Sequence, residues 1–94
     1  MKETKEPIIT VVIPAYNAAS TIEQCINSVL ENNYPLEKLG VIVVDDGSED
    51  DTLNIVSANA EHHPQLKVIH QDNQGAAGAR STGIKAAKGE IICV

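Results

Sequence analysis

The sequence predicts an α/β fold of the Rossmann-like type, with strands and helices alternating as βαβαβαβ around a mostly parallel sheet. Three apolar runs, "IITVVI", "LGVIVV" and "LKVIH", are each followed by a segment with helical spacing or helix-forming residues, and "EIICV" comes last. Runs that are apolar throughout are typical of strands covered on both faces, as parallel sheets require. The intervening helices predict right-handed crossovers between neighbouring strands.

Each element has its own boundary signals. The first strand covers residues 8–13 and is expected to end at Pro14. The first helix is expected to start at Ser20, where S-T-I-E predicts a capping box between Ser20 and Glu23. The remaining elements are a second strand over 39–44, a second helix from about 50 to Pro64, a third strand over 66–70, a third helix from 75 or 76 to 88 capped by Gly89, and a fourth strand over 90–94.

Composition restricts the class of protein. The chain has 94 residues, of which 43% are hydrophobic and 21% charged, which is typical of one small globular domain. Its formal net charge is −6 and its basic residues form no run, so we expect no nucleic-acid binding. No apolar segment has the length of a signal peptide core or a membrane span. Cys25 and Cys93 fall in apolar patterns, which favours buried reduced thiols. We therefore expect a cytoplasmic location, with membrane association left open for a longer protein.

The domain organisation follows from the two ends of the chain. Residues 1–7 predict a disordered extension, and residues 8–94 predict one domain that is incomplete at its C-terminus. An apolar strand that ends at Val94 leaves a hydrophobic face and an open edge in water. We therefore expect a longer parent domain, and we expect the uncovered strand to self-associate.

Candidate binding residues follow the strands. Pro14, Ala15 and Tyr16 follow the first strand, and Asp45 and Asp46 follow the second. Ligands of open α/β sheets bind outside the carboxyl ends of the strands, so we expect these residues to share one crevice. Tyr16 offers a ring for stacking a base, and a carboxylate such as Asp46 accepts from an imide N–H. A nucleotide is the expected ligand, although "DDGS" is also ordinary turn and helix-capping chemistry.

The third helix contributes a second set of candidates. Its N-terminus near Gly75 favours an anion such as a diphosphate, because backbone N–H groups and the helix dipole point there. Arg80 lies in the first or second turn. Its guanidinium is expected either to bind a phosphate or to pair with Asp45 or Asp46, and spacing alone leaves both open.

A dinucleotide site is the main competing hypothesis, because an acid after the second strand holds the ribose in NAD-dependent enzymes. That site also needs a G-x-G-x-x-G turn after the first strand, and the turn here is "PAYNAAS", without glycine. The sequence also lacks a GxxxxGK[ST] phosphate loop and a GxSxG elbow. An NAD-dependent α/β enzyme and a non-catalytic nucleotide-binding or regulatory module remain the alternatives.

Three segments together carry a resemblance to a known family. In order and spacing, "TVVIPAYNAASTIEQCINSVLENNYP", "VIVVDDGSEDDTLNIV" and "VIHQDNQGAAGARSTGIKAAKGEII" resemble the N-terminal half of family 2 glycosyltransferases with the GT-A fold. The resemblance implies a nucleotide-diphospho-sugar donor, UDP-linked, and a glycan or lipid-linked acceptor in polysaccharide or glycoconjugate synthesis. It also implies Mg or Mn in the complete enzyme and transfer to a hydroxyl with inversion.

The resemblance also assigns roles to residues. Pro14, Ala15 and Tyr16 would line the nucleoside pocket, Asp46 would read the base, and Asp45 would brace the loop or meet the ribose. Arg80 matches the family's N-x-G-x-x-x-A-R-N run, with Ser81 and Thr82 after it in place of the usual Asn.

The resemblance also implies that this chain lacks the metal ligands and the catalytic base of the family. The D-x-D carboxylates that hold the metal and the catalytic base are expected beyond Val94. We therefore expect the 94 residues alone to bind no metal and to transfer no sugar.

Overall fold

The computed structural model describes residues 7–94, so the predicted N-terminal extension lies outside the described residues except for Pro7. Strands and helices alternate along the chain, which confirms the α/β class. The elements are β1 (Ile9–Ala15), α1 (Ile22–Leu30), a short 3₁₀ turn (Leu36–Lys38), β2 (Leu39–Asp46), α2 (Thr52–His62), β3 (Leu66–Gln71), α3 (Gly75–Ala86) and β4 (Glu90–Cys93).

The four strands form one parallel sheet in the order β3-β2-β1-β4. The chain order reverses at β1, because β2 and β3 lie on one side of it and β4 lies on the other. Ala15, Asp45 and His70 are register partners at the carboxyl ends of β1, β2 and β3. The polar residues after these strands are therefore brought to one edge of the sheet, beside the switch point where α/β proteins bind ligands.

The first face of the sheet is covered by α1 and α2 and carries the larger core. Ile22 and Ile26 of α1 and Val56 of α2 pack on alternate residues of the strands, such as Val41 and Val43. Ile26, Val41, Val43 and Val56 are completely buried. Alternate strand residues point to one face of a sheet, which is why every second β2 side chain enters this core.

The second face is covered by α3, which contributes small residues such as Ala79 and Gly83 to the contact. Its buried cluster comprises Ile42, Val44 and Ala79. A Cβ added at Gly83 would lie 2.3 Å from Cγ1 of Val12. Since real Cβ atoms essentially never come that close, α3 approaches the sheet as near as glycine allows.

Several predicted boundaries are wrong. β2 runs through Asp45 and Asp46 instead of ending at 44. β1 does not end at Pro14 but continues to Ala15, because β4 pairs with β1 only as far as Val12 and requires no donor at Pro14. The capping box at Ser20 does not form: the N-cap of α1 is Thr21, without a side-chain cap bond. The backbone oxygen of Ala18 instead accepts from the N–H groups of Thr21 and Ile22, at 3.0 and 2.8 Å.

Two further expectations differ at the C-terminal end. α3 ends at Ala86 rather than at 88, and Ala87 rather than Gly89 is its C-cap. Cys93 is exposed and Cys25 is half-buried, so neither thiol is fully buried; both are free. Across residues 7–94, each helix falls short of the length and apolar character that crossing a bilayer requires.

Candidate functional site

A cleft of about 210 Å³ lies between the carboxyl ends of β1 and β2 and the start of α3. It contains five of the residues expected at a ligand site. The lining residues are Pro14, Ala15, Tyr16, Asp46, Asn73, Gly75, Ala76 and Ala79. Tyr16 is 51% exposed and presents its ring at the rim, so a flat aromatic ligand has access to it.

A second cavity of about 210 Å³ lies at the opposite, amino ends of the strands, where Thr10, Leu39 and Lys67 are among the lining residues. Size alone does not separate the two cavities. Ligands of parallel α/β sheets bind at the carboxyl ends of the strands, where loops and helix N-termini meet. We therefore place the candidate site in the cleft beside Tyr16.

The two adjacent carboxylates at the end of β2 point to opposite faces of the sheet. Asp45 follows Val41 and Val43 on the α1 and α2 face, whereas Asp46 follows Ile42 and Val44 on the α3 face. Only Asp46 lines the cleft. The two acids therefore have separate environments and separate tasks.

Asp46 is held by three hydrogen bonds from one side of the cleft. Its Oδ1 accepts from Nε2 of Gln71 and from the backbone N–H of Gln74, both at 2.9 Å, and its Oδ2 accepts from the N–H of Gly75 at 2.9 Å. The Gln71 hydrogen bond, with smaller help from the two backbone donors, lowers the pKa of Asp46 although burial opposes this. Asp46 is thus ionised at neutral pH and acts only as an acceptor, and a carboxylate has about four lone-pair positions, so one stays open to a ligand.

The N-terminus of α3 is already occupied in part by this carboxylate. The first four N–H groups of a helix have no partner inside it, and Asp46 takes those of Gln74 and Gly75. Gly75 has φ of 85°, and a Cβ placed on it would meet no atom within 4 Å, so its open side faces free space. The contact between Gly75 and a diphosphate stays a prediction. A diphosphate bound there would lie beside a second anion, the carboxylate of Asp46.

The turn after β2 supports the same side of the cleft. Gly47 has φ of 77°, and a Cβ there would lie 2.8 Å from the backbone nitrogen of Asn73. Asn73 in turn donates from Nδ2 to the backbone oxygen of Asp46 at 3.1 Å. Glycine at this turn lets the loop after β3 pack against the end of β2, which fixes the direction of Asp46.

Asp45 lies outside the cleft. Its side chain is completely buried, Oδ2 lies 2.8 Å from Nδ1 of His70, and Oδ1 is buried without a hydrogen-bond partner. The resemblance implied that Asp45 braces the loop or meets the ribose. Its position suits a structural role rather than contact with the ribose, because Asp45 bonds His70 of β3 and does not line the cleft.

Arg80 lies in the second turn of α3 and is exposed. Among residues 7–94 its guanidinium makes no hydrogen bond or ion pair, while Asp45 and Asp46 bind His70 and the Gln71–Gly75 segment instead. The expectation that Arg80 pairs with Asp45 or Asp46 is therefore wrong. Its role with a phosphate stays a prediction.

Sequence reasoning missed a set of hydrogen bonds that joins the β1–α1 loop to the β2–α2 loop. We call it the loop clasp, and it is formed by the side chains of Asn17, Ser48, Asp50 and Thr52. Taken alone, the acidic stretch from Glu49 to Asp51 is typical of a solvated loop. A signal was present, since Ser48, Asp50 and Thr52 alternate in the sequence and each has an acceptor oxygen.

A metal site needs several carboxylate, imidazole or thiolate ligands close together. No group of three or more His, Cys, Asp or Glu side chains within 7–94 is arranged to hold an ion. The residues present do not fit the Mg or Mn that the resemblance implies, so we derive no chemical step through a metal.

A parallel α/β sheet with a cleft beside its switch point is the arrangement in which open α/β proteins bind ligands. The model of glycosyl transferase family 2 matches residues 10–94, and the chain belongs to this family. This finding confirms the resemblance seen in the three sequence segments.

Individual proteins agree with the family match. The chain is 37% identical to the chondroitin synthase of Escherichia coli over 86 residues, covering 92% of the chain and 12% of that protein. The mannosyltransferase PcManGT of Pyrobaculum calidifontis, solved with GDP-Man and Mn²⁺, has a TM-score of 0.86 and 38% identity, covering 94% of the chain and 27% of PcManGT. The S. aureus TarS structure with UDP-GlcNAc has a TM-score of 0.83 and 34% identity, covering 92% and 25%. The chain thus spans less than a third of each of these proteins.

Proposed function

We propose that this chain is the donor-nucleotide-binding part of a glycosyltransferase that moves a sugar from a UDP-linked donor to an acceptor hydroxyl. Membership of glycosyl transferase family 2 supports the reaction class. The observation that carries the proposal is the cleft, in which Tyr16 forms the rim and Asp46 presents an ionised acceptor. The described residues are assigned to binding, and none of them is proposed as the catalytic base.

Tyr16 and Asp46 would recognise the nucleobase from two directions. The exposed ring of Tyr16 offers a stacking surface, and stacking of one base on an aromatic side chain contributes about 1–3 kcal/mol. Asp46 accepts but cannot donate, because it is ionised, so it favours a base edge that presents an N–H. Uracil offers such an imide N–H, and the solved complex of TarS contains UDP-GlcNAc.

The diphosphate would lie along the start of α3. Gly75 leaves open space on the cleft side, and Arg80 is free to move toward an anion because no described side chain holds it. Guanidinium groups bind phosphate oxygens in pairs of parallel hydrogen bonds. The negative charge of Asp46 lies nearby, and the hydrogen bonds from Gln71, Gln74 and Gly75 offset it.

The rest of the proposal concerns the longer protein. The chondroitin synthase relative supports polysaccharide or glycoconjugate synthesis. We propose a glycan or lipid-linked acceptor for the longer protein. The Mn²⁺ complex of PcManGT supports a divalent metal in the complete enzyme. We also propose a cytoplasmic location, in keeping with the two free cysteines.

Binding of UDP is the first test, measured by calorimetry and by the rise in melting temperature. UDP at a hundredfold excess over its Kd stabilises the folded state by about 2.7 kcal/mol. Asp46→Asn and Tyr16→Ala should each lower the affinity, by loss of the acceptor and of the stacking surface. Asp72→Asn is the matched control, since it removes an exposed carboxylate of the neighbouring β3–α3 loop that does not line the cleft.

The outcomes separate the competing functions. Binding of UDP that is unaffected by Asp46→Asn and Tyr16→Ala would contradict the assigned cleft. Tighter binding of NAD than of UDP would favour the dinucleotide hypothesis. UDP binding by the full-length protein without transfer from any UDP-sugar would favour a regulatory module.

We further propose that copies of this 94-residue chain associate through β4. All four residues of β4 are exposed, and the strand pairs with β1 along only one of its edges. Ile92 is 51% exposed on an open strand edge, which is a template for pairing with another chain. Light scattering should detect dimers, and Ile92→Lys should reduce them. A monomer at high concentration would contradict this.

A further inference from the structure

The loop clasp holds three consecutive backbone N–H groups directly after Tyr16. The N–H groups of Asn17 and Ala18 donate to Ser48 Oγ and Thr52 Oγ1, both at 2.8 Å, and the N–H of Ala19 donates to Asp50 Oδ2 at 3.1 Å. In the reverse direction, Oδ1 of Asn17 accepts from the N–H of Glu49 at 2.8 Å. The two loops are therefore joined by four hydrogen bonds over a separation of more than 30 residues.

Asp50 orients the hydroxyl of Thr52, so that the lone pairs of Oγ1 remain available to accept a hydrogen bond. The Thr52 hydroxyl donates to Asp50 Oδ1, and the Thr52 N–H donates to the same oxygen at 2.9 Å. Because a hydroxyl has a single proton, this donation leaves its lone pairs for the N–H of Ala18. Thr52 is completely buried, so water does not compete for these bonds. The Thr52 hydroxyl also lowers the pKa of Asp50, which keeps it an acceptor.

Capping of α2 accounts for only one part of the clasp, the bond from the Thr52 N–H to Asp50. The N-cap of α2 is Asp51, which makes no side-chain cap bond. Asp50 uses one oxygen on Thr52 and directs the other to Ala19 in the β1–α1 loop. Ser48 also bonds across to that loop, so the side chains of the β2–α2 loop serve the neighbouring loop.

The loop clasp affects the orientation of Tyr16. The Tyr16 side chain makes no hydrogen bond within residues 7–94 and is half exposed. Its direction is therefore set by the backbone on either side. Ala15 before it belongs to β1, and Asn17 after it has φ of 51°, a left-handed conformation that is uncommon outside glycine. Hydrogen bonds to both the N–H and the side chain of Asn17 stabilise that conformation.

We propose that Ser48, Asp50 and Thr52 are positioning residues that hold Tyr16 in the orientation needed to stack on a nucleobase. The inference rests on the proposed function, since it assigns these three residues to the affinity of the same cleft. They bond to the β1–α1 loop and do not line the cleft, so their effect on the ligand would pass through Tyr16. We therefore predict that substitution of Ser48, Asp50 or Thr52 lowers nucleotide affinity only when Tyr16 is present.

Thr52→Val is the principal test, with Thr10→Val as its matched control. Both residues are buried threonines whose hydroxyls make hydrogen bonds, but Thr10 bonds Lys88 at the amino end of β1. Thr52→Val should lower UDP affinity roughly 5- to 100-fold, the range of one base–aromatic stack. Thr10→Val should leave UDP affinity unchanged.

A double-mutant cycle separates positioning from a general structural role. In a Tyr16→Ala background, Thr52→Val should lower UDP affinity no further. An equal loss with and without the Tyr16 side chain would overturn the proposal, as would unchanged affinity in Thr52→Val itself. If Thr52→Val does not fold, Asp50→Asn replaces it, because Asp50 is exposed and the amide nitrogen would face the N–H of Ala19.

Tyrosine fluorescence keeps this proposal distinct from the proposed function. The chain has two tyrosines and no tryptophan, so Tyr34→Phe leaves Tyr16 as the only fluorophore. In that background and without ligand, Thr52→Val should lower the fluorescence anisotropy of Tyr16, and Thr10→Val should not. Equal anisotropy in the two variants would overturn the positioning role even if UDP binds. A fall in anisotropy with no UDP binding by the unmodified chain would support the clasp and reject only the proposed function.

Discussion

Each face of the sheet carries one carboxylate at the end of β2, and the environments of these two carboxylates differ. Asp45 lies on the face that carries the larger apolar core, where it is completely buried with His70 as its partner. On the α3 face, small side chains leave a cleft, and Asp46 is held by hydrogen bonds at its wall. One face is built to stabilise the domain, and the other keeps an acceptor accessible.

Ile26→Ala should have the largest effect, because it removes a completely buried side chain from the α1 and α2 face. Substitutions of this kind cost about 2–5 kcal/mol, through lost burial and the cavity left behind. Urea denaturation measures the change in the free energy of unfolding. Ile84→Ala on the exposed side of α3 is the control and should cost much less. Equal losses would mean that the faces do not differ as described.

Gly83→Ala tests how closely α3 packs against the sheet, and should destabilise the domain less than Ile26→Ala. The added methyl group would overlap Val12, from which it would lie 2.3 Å away, so α3 has to move outward. Overpacking typically costs about 1–3 kcal/mol. The variant should also lower UDP affinity, because α3 forms one wall of the cleft.

Gly75→Ala is the control for Gly83→Ala, because it adds a methyl group that makes no contact: a Cβ at Gly75 meets no atom within 4 Å. Its cost comes from its positive φ alone. A crystal structure or amide chemical shifts of the two variants would locate the displacement. Displacement of α3 in Gly75→Ala but not in Gly83→Ala would contradict the contact.

His70→Ala tests the sealed carboxylate. It leaves neither oxygen of Asp45, which is buried in the wild type, with a described hydrogen-bond partner. An unsatisfied buried polar group costs about 1–3 kcal/mol, and His70→Asn offers an amide donor that could restore part of it. Thermal denaturation should show the order wild type, His70→Asn, His70→Ala. No difference between His70→Ala and wild type would mean that Asp45 finds another donor.

Acid titration should give the smallest effect and report on Asp46. Its lowered pKa means that the unfolded state binds more protons between the folded value and the ordinary value of about 3.9. Its contribution to stability is therefore complete above that ordinary value and is lost as the pH falls through the folded value.

Urea denaturation at pH 3 and pH 6 measures this loss. Asp46→Asn should reduce the difference between the two pH values but not remove it, because the pKa of Asp50 is lowered too. A variant with the full wild-type difference would contradict the hydrogen bonds assigned to Asp46.

The sequence allowed the sheet and most of the cleft to be predicted. β-branched runs define strands such as β2, and residues after parallel strands must meet, which placed Tyr16 and Asp46 together. The alternation of side chains along β2 also contained the information that Asp45 and Asp46 point to opposite faces.

Other features depend on contacts between distant segments. The capping box at Ser20 is replaced by backbone bonds to Ala18, in a loop that Thr52 holds from the neighbouring turn. The same kind of contact decided that Asp46 binds the start of α3 rather than Arg80. Local patterns in the sequence carry no information on such partners.

The dependence of α3 on Asp46 and on Gly83 has a consequence for the order of folding. Gly78 and Gly83 in the helix interior each cost about 1 kcal/mol relative to alanine, so residues 75–86 have little tendency to form a helix by themselves. The sheet must be present first to supply the carboxylate and the surface on which α3 docks. We therefore expect α3 to form after the rate-limiting step, so that Gly83→Ala raises the unfolding rate and leaves the refolding rate unchanged.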